Sequence, residues 1–228
     1  MKKLIFSYIT ILMTLFISSN KIDCLYASEK EEIRLYDATT ILEEVMTMKD
    51  ERIPRYLLKK CKGIALIPNV IKGGFIGGIK YGKGVVAIKK DGEWSPPSFI
   101  SITGGSFGWQ IGAQSVDVVL VIMNERGVRA FLKNKFTLGA DASVAAGPVG
   151  RLGEISMDLL LQTPIYSYSK AKGIFAGATL TGALVITDDN ANENFYGEKV
   201  SQNDIFKKKV NVPPEVKIFV DTLKEYSK

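Results

Sequence analysis

The order of apolar and polar positions divides the chain into a helical beginning, a strand-rich middle and a helical end. Residues 28–52 place apolar side chains at helical spacing and crowd acidic side chains into the first turn, where the helix dipole favours them. Ser28 followed by Glu31 fits a capping box. The predicted apolar stripe of this helix comprises Ile33, Ala38, Ile41, Leu42, Val45 and Met46. Two further helices are predicted, from Pro54 to about Lys60 and from Pro214 to Tyr226.

From Gly63 onward the pattern changes to short apolar or alternating runs separated by glycine, proline and Asp-Gly signals. Asp91-Gly92 predicts a tight turn, and residues 124–134, capped by Asn124, predict a central helix. Because few helices separate the strands, the sheet should be mainly antiparallel. The predicted fold class is therefore α+β, an extensive sandwich- or barrel-like sheet with N-terminal, central and C-terminal helices.

No long linker interrupts the pattern, so residues 28–228 are expected to form one domain. We divide this domain into an acidic N-terminal helix over residues 28–52, a core over residues 53–206 and a C-terminal helical segment over residues 207–228.

The most distinctive stretch is GGFIGGIKYGKG, residues 73–84. From Gly77 it has the G-x-x-x-x-G-K spacing of a phosphate-binding loop, but Gly84 stands where that loop needs Ser or Thr. The strand-like Val85-Val86-Ala87-Ile88 follows where the loop needs a helix, which disfavours nucleotide binding. Read as one strand, the stretch has a glycine-rich face that another backbone, a helix or an acyl chain could approach closely.

The first 27 residues have the pattern of a secretory signal peptide: a basic start, a short apolar run and a small residue, Ala27, before Ser28. An uncleaved anchor helix and lipid attachment at Cys24 are the alternatives. We therefore expect an exported protein of the periplasm or cell envelope. Cys61 would then be the one cysteine of the mature chain, a small buried hydrophobe, unless Cys24 is retained and bridges to it.

Charge and composition exclude several kinds of chemistry. The formal net charge is +6, and the leader accounts for three lysines and one aspartate, so the remaining basicity is too mild to indicate nucleic acid. The chain has no histidine, which excludes Ser-His-Asp and Cys-His catalysis and histidine-ligated zinc. A carboxylate pair formed by Asp117 and Asp141 is the remaining catalytic candidate, although each side chain could simply accept backbone hydrogen bonds.

The polar run DDNANEN, residues 188–194, begins like a calcium-binding loop. It has Glu193 at the sixth position, where that loop turns on glycine, and Lys199 at the twelfth, where it needs glutamate. The run is therefore predicted to be a hairpin or surface loop. No metal and no cofactor are expected.

An extended series of segments resembles the SYLF-domain family of lipid-binding proteins. The segments begin with KGIALIPNVIKGG at residue 62 and continue with GWQIGAQSVDVVLVIMN, TLGADASVAAGPVGR and YSYSKAKGIFAGATLTGALVITDDNANENFYG. The resemblance implies a non-enzymatic domain that associates with membranes through anionic lipid. Eukaryotic phosphoinositide binding in this family is tied to a basic helix ahead of the domain, whereas residues 28–50 here are net acidic and would be repelled by an anionic leaflet. Lipid or envelope association is therefore expected, without phosphoinositide specificity or actin bundling.

Lysines that could contact an anionic phospholipid headgroup cluster at three places. They are Lys59, Lys60, Lys62, Lys72, Lys80, Lys83, Lys170 and Lys172. Trp94 and Trp109 could anchor at a membrane interface or pack in the core. The alternative function is an envelope interaction module that docks a protein partner through its acidic N-terminal helix.

Overall fold

The computed structural model describes residues 28–48, 52–74, 77–107, 112–150, 161–171, 173–178 and 180–228. The strands are β1 (Gly63–Gly74), β2 (Gly77–Lys90), β3 (Glu93–Trp94), β4 (Ser98–Phe107), β5 (Gly112–Ile122), β6 (Lys135–Thr137), β7 (Val144–Ala146), β8 (Ile165–Ala171), β9 (Ile174–Gly177) and β10 (Leu184–Thr187). The helices are α1 (28–47), α2 (Arg55–Lys60), α3 (Glu125–Phe131), α4 (Asp189–Tyr196), α5 (Gln202–Phe206) and α6 (Val216–Tyr226).

The strands form one sheet in the order β6-β10-β4-β2-β1-β5-β8-β7, with β3 paired to β2 and β9 paired to β8. The pairing of β7 with β8 is parallel, and the other strand pairs are antiparallel. The structure therefore confirms an α+β fold with a mainly antiparallel sheet.

Both faces of the curled sheet are buried. On the inner face, Ile67 of β1, Val185 of β10 and Ile165 of β8 belong to one apolar cluster, together with Phe131 of α3. On the outer face, Leu66 and its neighbours pack against the other helices. The alternation of Ala65, Leu66 and Ile67 assigns successive residues to opposite clusters.

Several local predictions are confirmed. Asn124 caps α3, and its side chain accepts hydrogen bonds from the backbone N–H groups of Arg126 and Gly127. Asp91 and Gly92 both have positive φ, 51° and 83°, as a tight hairpin turn between β2 and β3 requires.

Two predictions about α1 need correction. The helix ends at residue 47 and does not continue to residue 52. At its start the Ser28 hydroxyl donates to Glu32, 3.0 Å away, while Glu31 instead forms an ion pair with Arg34 at 2.8 Å.

The prediction of a hairpin or loop over DDNANEN is wrong, because this run forms helix α4. Asp188 caps α4 by accepting a hydrogen bond from Ala191 N–H, and Gly197 ends the helix with a φ of 74°. Asn192, predicted to lie in a surface loop, is fully buried and accepts a hydrogen bond from the backbone N–H of Phe99 at 2.9 Å. This hydrogen bond therefore fixes α4 against β4.

The glycine-rich stretch is not one strand but part of a hairpin, since β1 ends at Gly74 and β2 begins at Gly77. Opposite the later glycines, β1 contains an extra residue at a bulge, where Asn69 has a φ of 51°. A Cβ on Gly84 would lie 2.2 Å from the carbonyl oxygen of Leu66, and one on Gly82 would lie 2.7 Å from Val70 Cγ2. The clearance at Gly82 and Gly84 is therefore filled by the β1 strand itself.

Candidate functional site

Five of the eight lysines predicted as lipid contacts fall into two groups at opposite ends of the β1–β2 hairpin. Lys59 and Lys60 occupy the last turn of α2, and Lys62 immediately precedes β1; all three are exposed. Lys72 and Lys80 lie near the far end of the hairpin, where they stand directly opposite each other. The span of β1 from Lys62 to Lys72 corresponds to about 33 Å. These lysines therefore do not form one continuous surface.

The far end of the hairpin has exposed apolar side chains, and the positions of Lys72 and Lys80, each one residue away along its strand, belong to the opposite face of the sheet. We call Ile71, Lys72, Lys80, Tyr81 and Ile174 the hairpin end. Ile71 is directly opposite Tyr81, and these side chains are 55% and 46% exposed. Ile174, in the β8–β9 hairpin, is 66% exposed.

The β8–β9 turn lies at the same end of the sheet as the tip of the β1–β2 hairpin. Lys170 of β8 is opposite Asp117 of β5, and Ser115 of β5 is opposite Ile71. Ala171, the residue after Lys170, is opposite Ile174. Strand spacing places Ile174 about 14 Å from Ile71 across the sheet. The two hairpins therefore end at the same edge of the sheet.

The register of the hairpin end places two lysine positions directly opposite each other. Like charges directly opposite each other on neighbouring strands destabilise a sheet unless a counter-charge lies near them. Lys72 and Lys80 form such a pair in the register of β1 and β2. Within the described residues, half-buried Lys80 makes no ion pair. The side chain of Lys72 and the whole of Lys172 lie outside what the structure describes.

Two other predicted lipid contacts are engaged in ion pairs within the protein. Lys83 Nζ lies 3.2 Å from Asp188 Oδ2. Lys170 pairs with Glu44 of α1, and its Nζ lies 3.8 Å from Asp117 Oδ2. Their contact with lipid stays a prediction, but their ammonium groups already have carboxylate partners.

These ion pairs belong to a polar row that holds α1 on the sheet. Arg34 of α1 lies 3.1 Å from Asp188 and 5.3 Å from the ring centre of Phe99. Burial acts to raise the pKa of Asp188, but the cations of Lys83 and Arg34 hold it below the usual value. Burial also raises the pKa of Glu31, against the opposing effect of Arg34. The helix is thus fixed by charge at one edge and by its apolar stripe beneath.

The two candidate catalytic carboxylates accept backbone hydrogen bonds, as the simpler interpretation predicted. Asp117 Oδ1 accepts from Asn69 N–H at 3.0 Å and supports the β1 bulge. Asp141 Oδ2 accepts from Thr137 N–H at 2.7 Å. In the described part of the chain, no group of three or more Cys, Asp or Glu side chains is arranged to hold a metal ion.

Trp94 and Cys61 belong to the core. Trp94 is 3% exposed, and its indole N–H donates to Ser227 Oγ at 3.0 Å, so it is not an interfacial anchor. Cys61 is buried as predicted, and burial raises the pKa of its thiol to about 12. Trp109 lies outside the described residues.

A second exposed surface lies on the acidic helix α1, and its apolar lining was not predicted from the sequence. Ile33 and Tyr36 of α1 and Ile218 of α6 are 55%, 71% and 68% exposed. They line a groove of about 360 Å³, hereafter the α1–α6 groove, whose other residues are Glu32, Leu35, Thr39, Thr40, Glu43 and Glu215. The prediction that Ile33 belongs to the buried stripe is wrong, and Leu35 lies there instead. Tyr36 lies outside the predicted apolar stripe, on the polar side of α1. A large ring at that position was the sign in the sequence of a second apolar surface.

None of the helices in the described ranges combines the length and the hydropathy needed to cross a bilayer.

Comparison with known proteins identifies one family. A family described as "Ysc84: Las17-binding protein actin regulator" matches residues 103–226. Protein YSC84 of Saccharomyces cerevisiae is 38% identical over 169 residues, which cover 72% of this chain and 36% of the yeast protein. LAS seventeen-binding protein 3 of the same organism is 35% identical over 171 residues, covering 73% of this chain and 37% of that protein.

A mammalian relative matches a similar share of the chain. SH3 domain-containing YSC84-like protein 1 of Rattus norvegicus is 34% identical over 180 residues, which cover 78% of this chain and 53% of the rat protein. The chain therefore spans between about a third and about half of the length of these relatives.

Proposed function

The chain belongs to the SYLF, or Ysc84, family, and on that premise we propose that it binds the surface of anionic membranes through the hairpin end, without catalysing a reaction. The observation that carries the proposal is the exposure of Ile71, Tyr81 and Ile174 at the end of the sheet where the register sets two lysine positions opposite each other. The apolar leader-like pattern of residues 1–27 supports a location at the periplasm or cell envelope.

The chemistry of the hairpin end suits the boundary between headgroups and acyl chains. Tyrosine is enriched at that boundary because its ring is apolar and its hydroxyl is polar. Each lysine near an anionic surface contributes about 1 kcal/mol, and inserted apolar side chains add about 25 cal/mol per Å² that they bury. A few lysines and three apolar side chains therefore support weak, reversible binding.

The sheet makes this surface rigid. Ile71 follows the β1 bulge that Asp117 supports and is opposite Tyr81, and Gly82 and Gly84 fit against the same bulge. Side chains fixed on a strand lose little conformational freedom on binding, so more of the contact energy appears as affinity.

Flotation with lipid vesicles tests the proposal. Residues 28–228, which contain every described element, avoid the apolar leader as a second membrane contact. This protein should float with vesicles of phosphatidylcholine and phosphatidylglycerol, and not with phosphatidylcholine alone. The variant Ile71→Ser, Lys80→Glu, Tyr81→Ser should lose flotation. The matched control Lys59→Glu, Lys60→Glu changes charges at the other end of the hairpin and should float normally. Equal flotation of wild type and the hairpin variant would refute the assignment of the surface.

A further inference from the structure

The floor of the α1–α6 groove is apolar, and the hydroxyl groups in its lining are already hydrogen-bonded within α1. Ile33, Tyr36, Leu35 and Ile218 supply its carbon surface. The two threonine hydroxyls in the lining are already used, because Thr39 donates to Leu35 O at 2.8 Å and Thr40 to Tyr36 O at 3.1 Å. A ligand therefore meets a surface that offers contact area and few free polar groups.

The rim of the groove is acidic. Glu32 and Glu43 of α1 and Glu215 at the start of α6 line it, and among the residues that the structure describes its lining contains no lysine or arginine. Such a rim repels anionic headgroups and attracts cationic side chains.

The exposed apolar side chains here are not needed to attach α1. That attachment is made by Leu35, Ala38, Leu42 and Val45, which are at most 2% exposed. Tyr36, Ile33 and Ile218 project away from this core and add a contiguous apolar patch to the surface, a feature that marks interaction sites in soluble domains.

We propose that the α1–α6 groove docks a basic amphipathic helix of a partner protein. The partner's apolar side chains would recur at helical spacing and pack between Tyr36 and Ile218, and lysine or arginine side chains beside them would pair with the glutamates of the rim. The groove extends along α1 from Glu32 to Glu43, which corresponds to about 17 Å. It therefore matches about three turns of a partner helix.

This proposal refines the docking role that the sequence suggested for the acidic helix. It places the contact on the outward side of α1, since the other side is committed to the sheet through the core and through the ion pairs of Arg34 and Glu44.

Binding of designed peptides to the full chain tests the proposal. The probe is a fluorescein-labelled amphipathic helix of about 12 residues made of leucine and lysine, and its matched control has glutamate in place of lysine. Fluorescence anisotropy should show saturable binding of the basic peptide, weakened by salt, and much weaker binding of the acidic peptide. Equal affinity for the two peptides, or no binding of the basic one, would overturn the proposal.

Variants of the groove locate the binding. The double variant Tyr36→Ala, Ile218→Ala should lower the affinity for the basic peptide about tenfold or more. Glu32→Gln, Glu43→Gln, Glu215→Gln should flatten the salt dependence. The control Ile174→Ala removes an equally exposed apolar side chain elsewhere and should leave affinity unchanged. If Ile174→Ala lowered the affinity for the basic peptide as much as the double variant does, the groove would not be the docking site.

Sedimentation velocity of the full chain tests the alternative that the groove binds a second copy of the protein. A monomer that stays monomeric in the Ile218→Glu variant agrees with a separate partner. A dimer that dissociates in this variant would show that the groove binds a second copy, which contradicts the proposal.

Discussion

The hairpin end and the α1–α6 groove both expose large apolar side chains, but their charged surroundings are opposite. Ile71 and Tyr81 lie one residue along their strands from the opposed lysine positions of β1 and β2, whereas Tyr36 and Ile218 lie within a rim of glutamates. Exposed apolar area alone would assign both regions to the same kind of contact. The neighbouring charges separate them, since an anionic membrane favours the first and repels the second.

The two regions also differ in how they are built. The hairpin end depends on the register of two strands and on a bulge whose extra residue is held by Asp117. The groove lies between the outward faces of two helices whose inward faces carry the core. Changes in the sheet should therefore affect the hairpin end first, and surface changes in α1 or α6 should affect the groove alone.

The largest expected effect comes from Gly84→Ala, which alters the sheet and leaves both helices of the groove unchanged. The new Cβ would lie 2.2 Å from Leu66 O and 2.7 Å from Ile67 Cα, and backbone atoms cannot rotate away. The free energy of unfolding should fall by about 3 kcal/mol or more. Urea denaturation measures it, with Gly105→Ala as the control. A Cβ at Gly105 meets no atom within 4 Å. Equal stability of the two variants would contradict the described fit of β2 against the bulge.

The next effect separates the two surfaces directly. The variant Ile71→Ser, Lys80→Glu, Tyr81→Ser should weaken binding to anionic vesicles about thirtyfold or more and leave the basic peptide unaffected. Tyr36→Ala, Ile218→Ala should do the reverse. Vesicle flotation and peptide anisotropy, applied to both variants, measure the separation. Loss of both activities in either variant would mean that the regions act as one surface.

Asp188 connects the two regions, because it pairs with Lys83 on β2 and with Arg34 on α1. Asp188→Asn should cost about 1–3 kcal/mol of stability at neutral pH, since it leaves Arg34 buried beside fewer counter-charges. The pKa of Asp188 is lowered below its ordinary 3.8, so its contribution is present above pH 3.8 and is lost as pH falls through the folded-state pKa.

The stability difference between wild type and Asp188→Asn should therefore shrink in acid, as urea titrations at neutral and low pH would show. A difference that stays constant down to pH values well below the ordinary 3.8 would contradict an ionic role for this carboxylate.

The smallest effect concerns single lysines. Lys80→Gln should weaken binding to anionic vesicles about fivefold at low salt, and the loss should shrink as salt screens the surface. Lys59→Gln, at the other end of the hairpin, should change the affinity less than about twofold. Vesicle titrations at two salt concentrations give both values. Equal losses in the two variants would favour diffuse electrostatic attraction over a defined contact.

Local chemistry made much of the fold predictable. The Asn124 cap, the Asp91-Gly92 turn and the C-terminal helix follow from side chains that act within a few residues of themselves. Helix α4 was missed because its composition is polar. Its signals were Asp188 as a cap, Ala191 and Phe195 four residues apart on the buried face, and Gly197 as a stop.

The candidate sites were less predictable because they depend on contacts between distant parts of the chain. Lys170 looked free in the sequence, yet its partner Glu44 is 126 residues away. The fit of Gly84 against Leu66 depends on a bulge that no local sequence pattern predicts. Predicting the α1–α6 groove requires knowing which helix lies beside α1. The pairing of Lys72 with Lys80 in turn requires the register of the hairpin.

The most direct test of membrane contact at the hairpin end uses two exposed tyrosines as a matched pair. Tyr81→Cys and Tyr36→Cys in residues 28–228 each take an environment-sensitive NBD label, while buried Cys61, whose pKa is raised to about 12, stays unreactive. On addition of phosphatidylglycerol-containing vesicles, the label at position 81 should brighten and shift to shorter wavelength, and the label at position 36 should not change. A response at position 36 with none at position 81 would contradict membrane binding through the hairpin end.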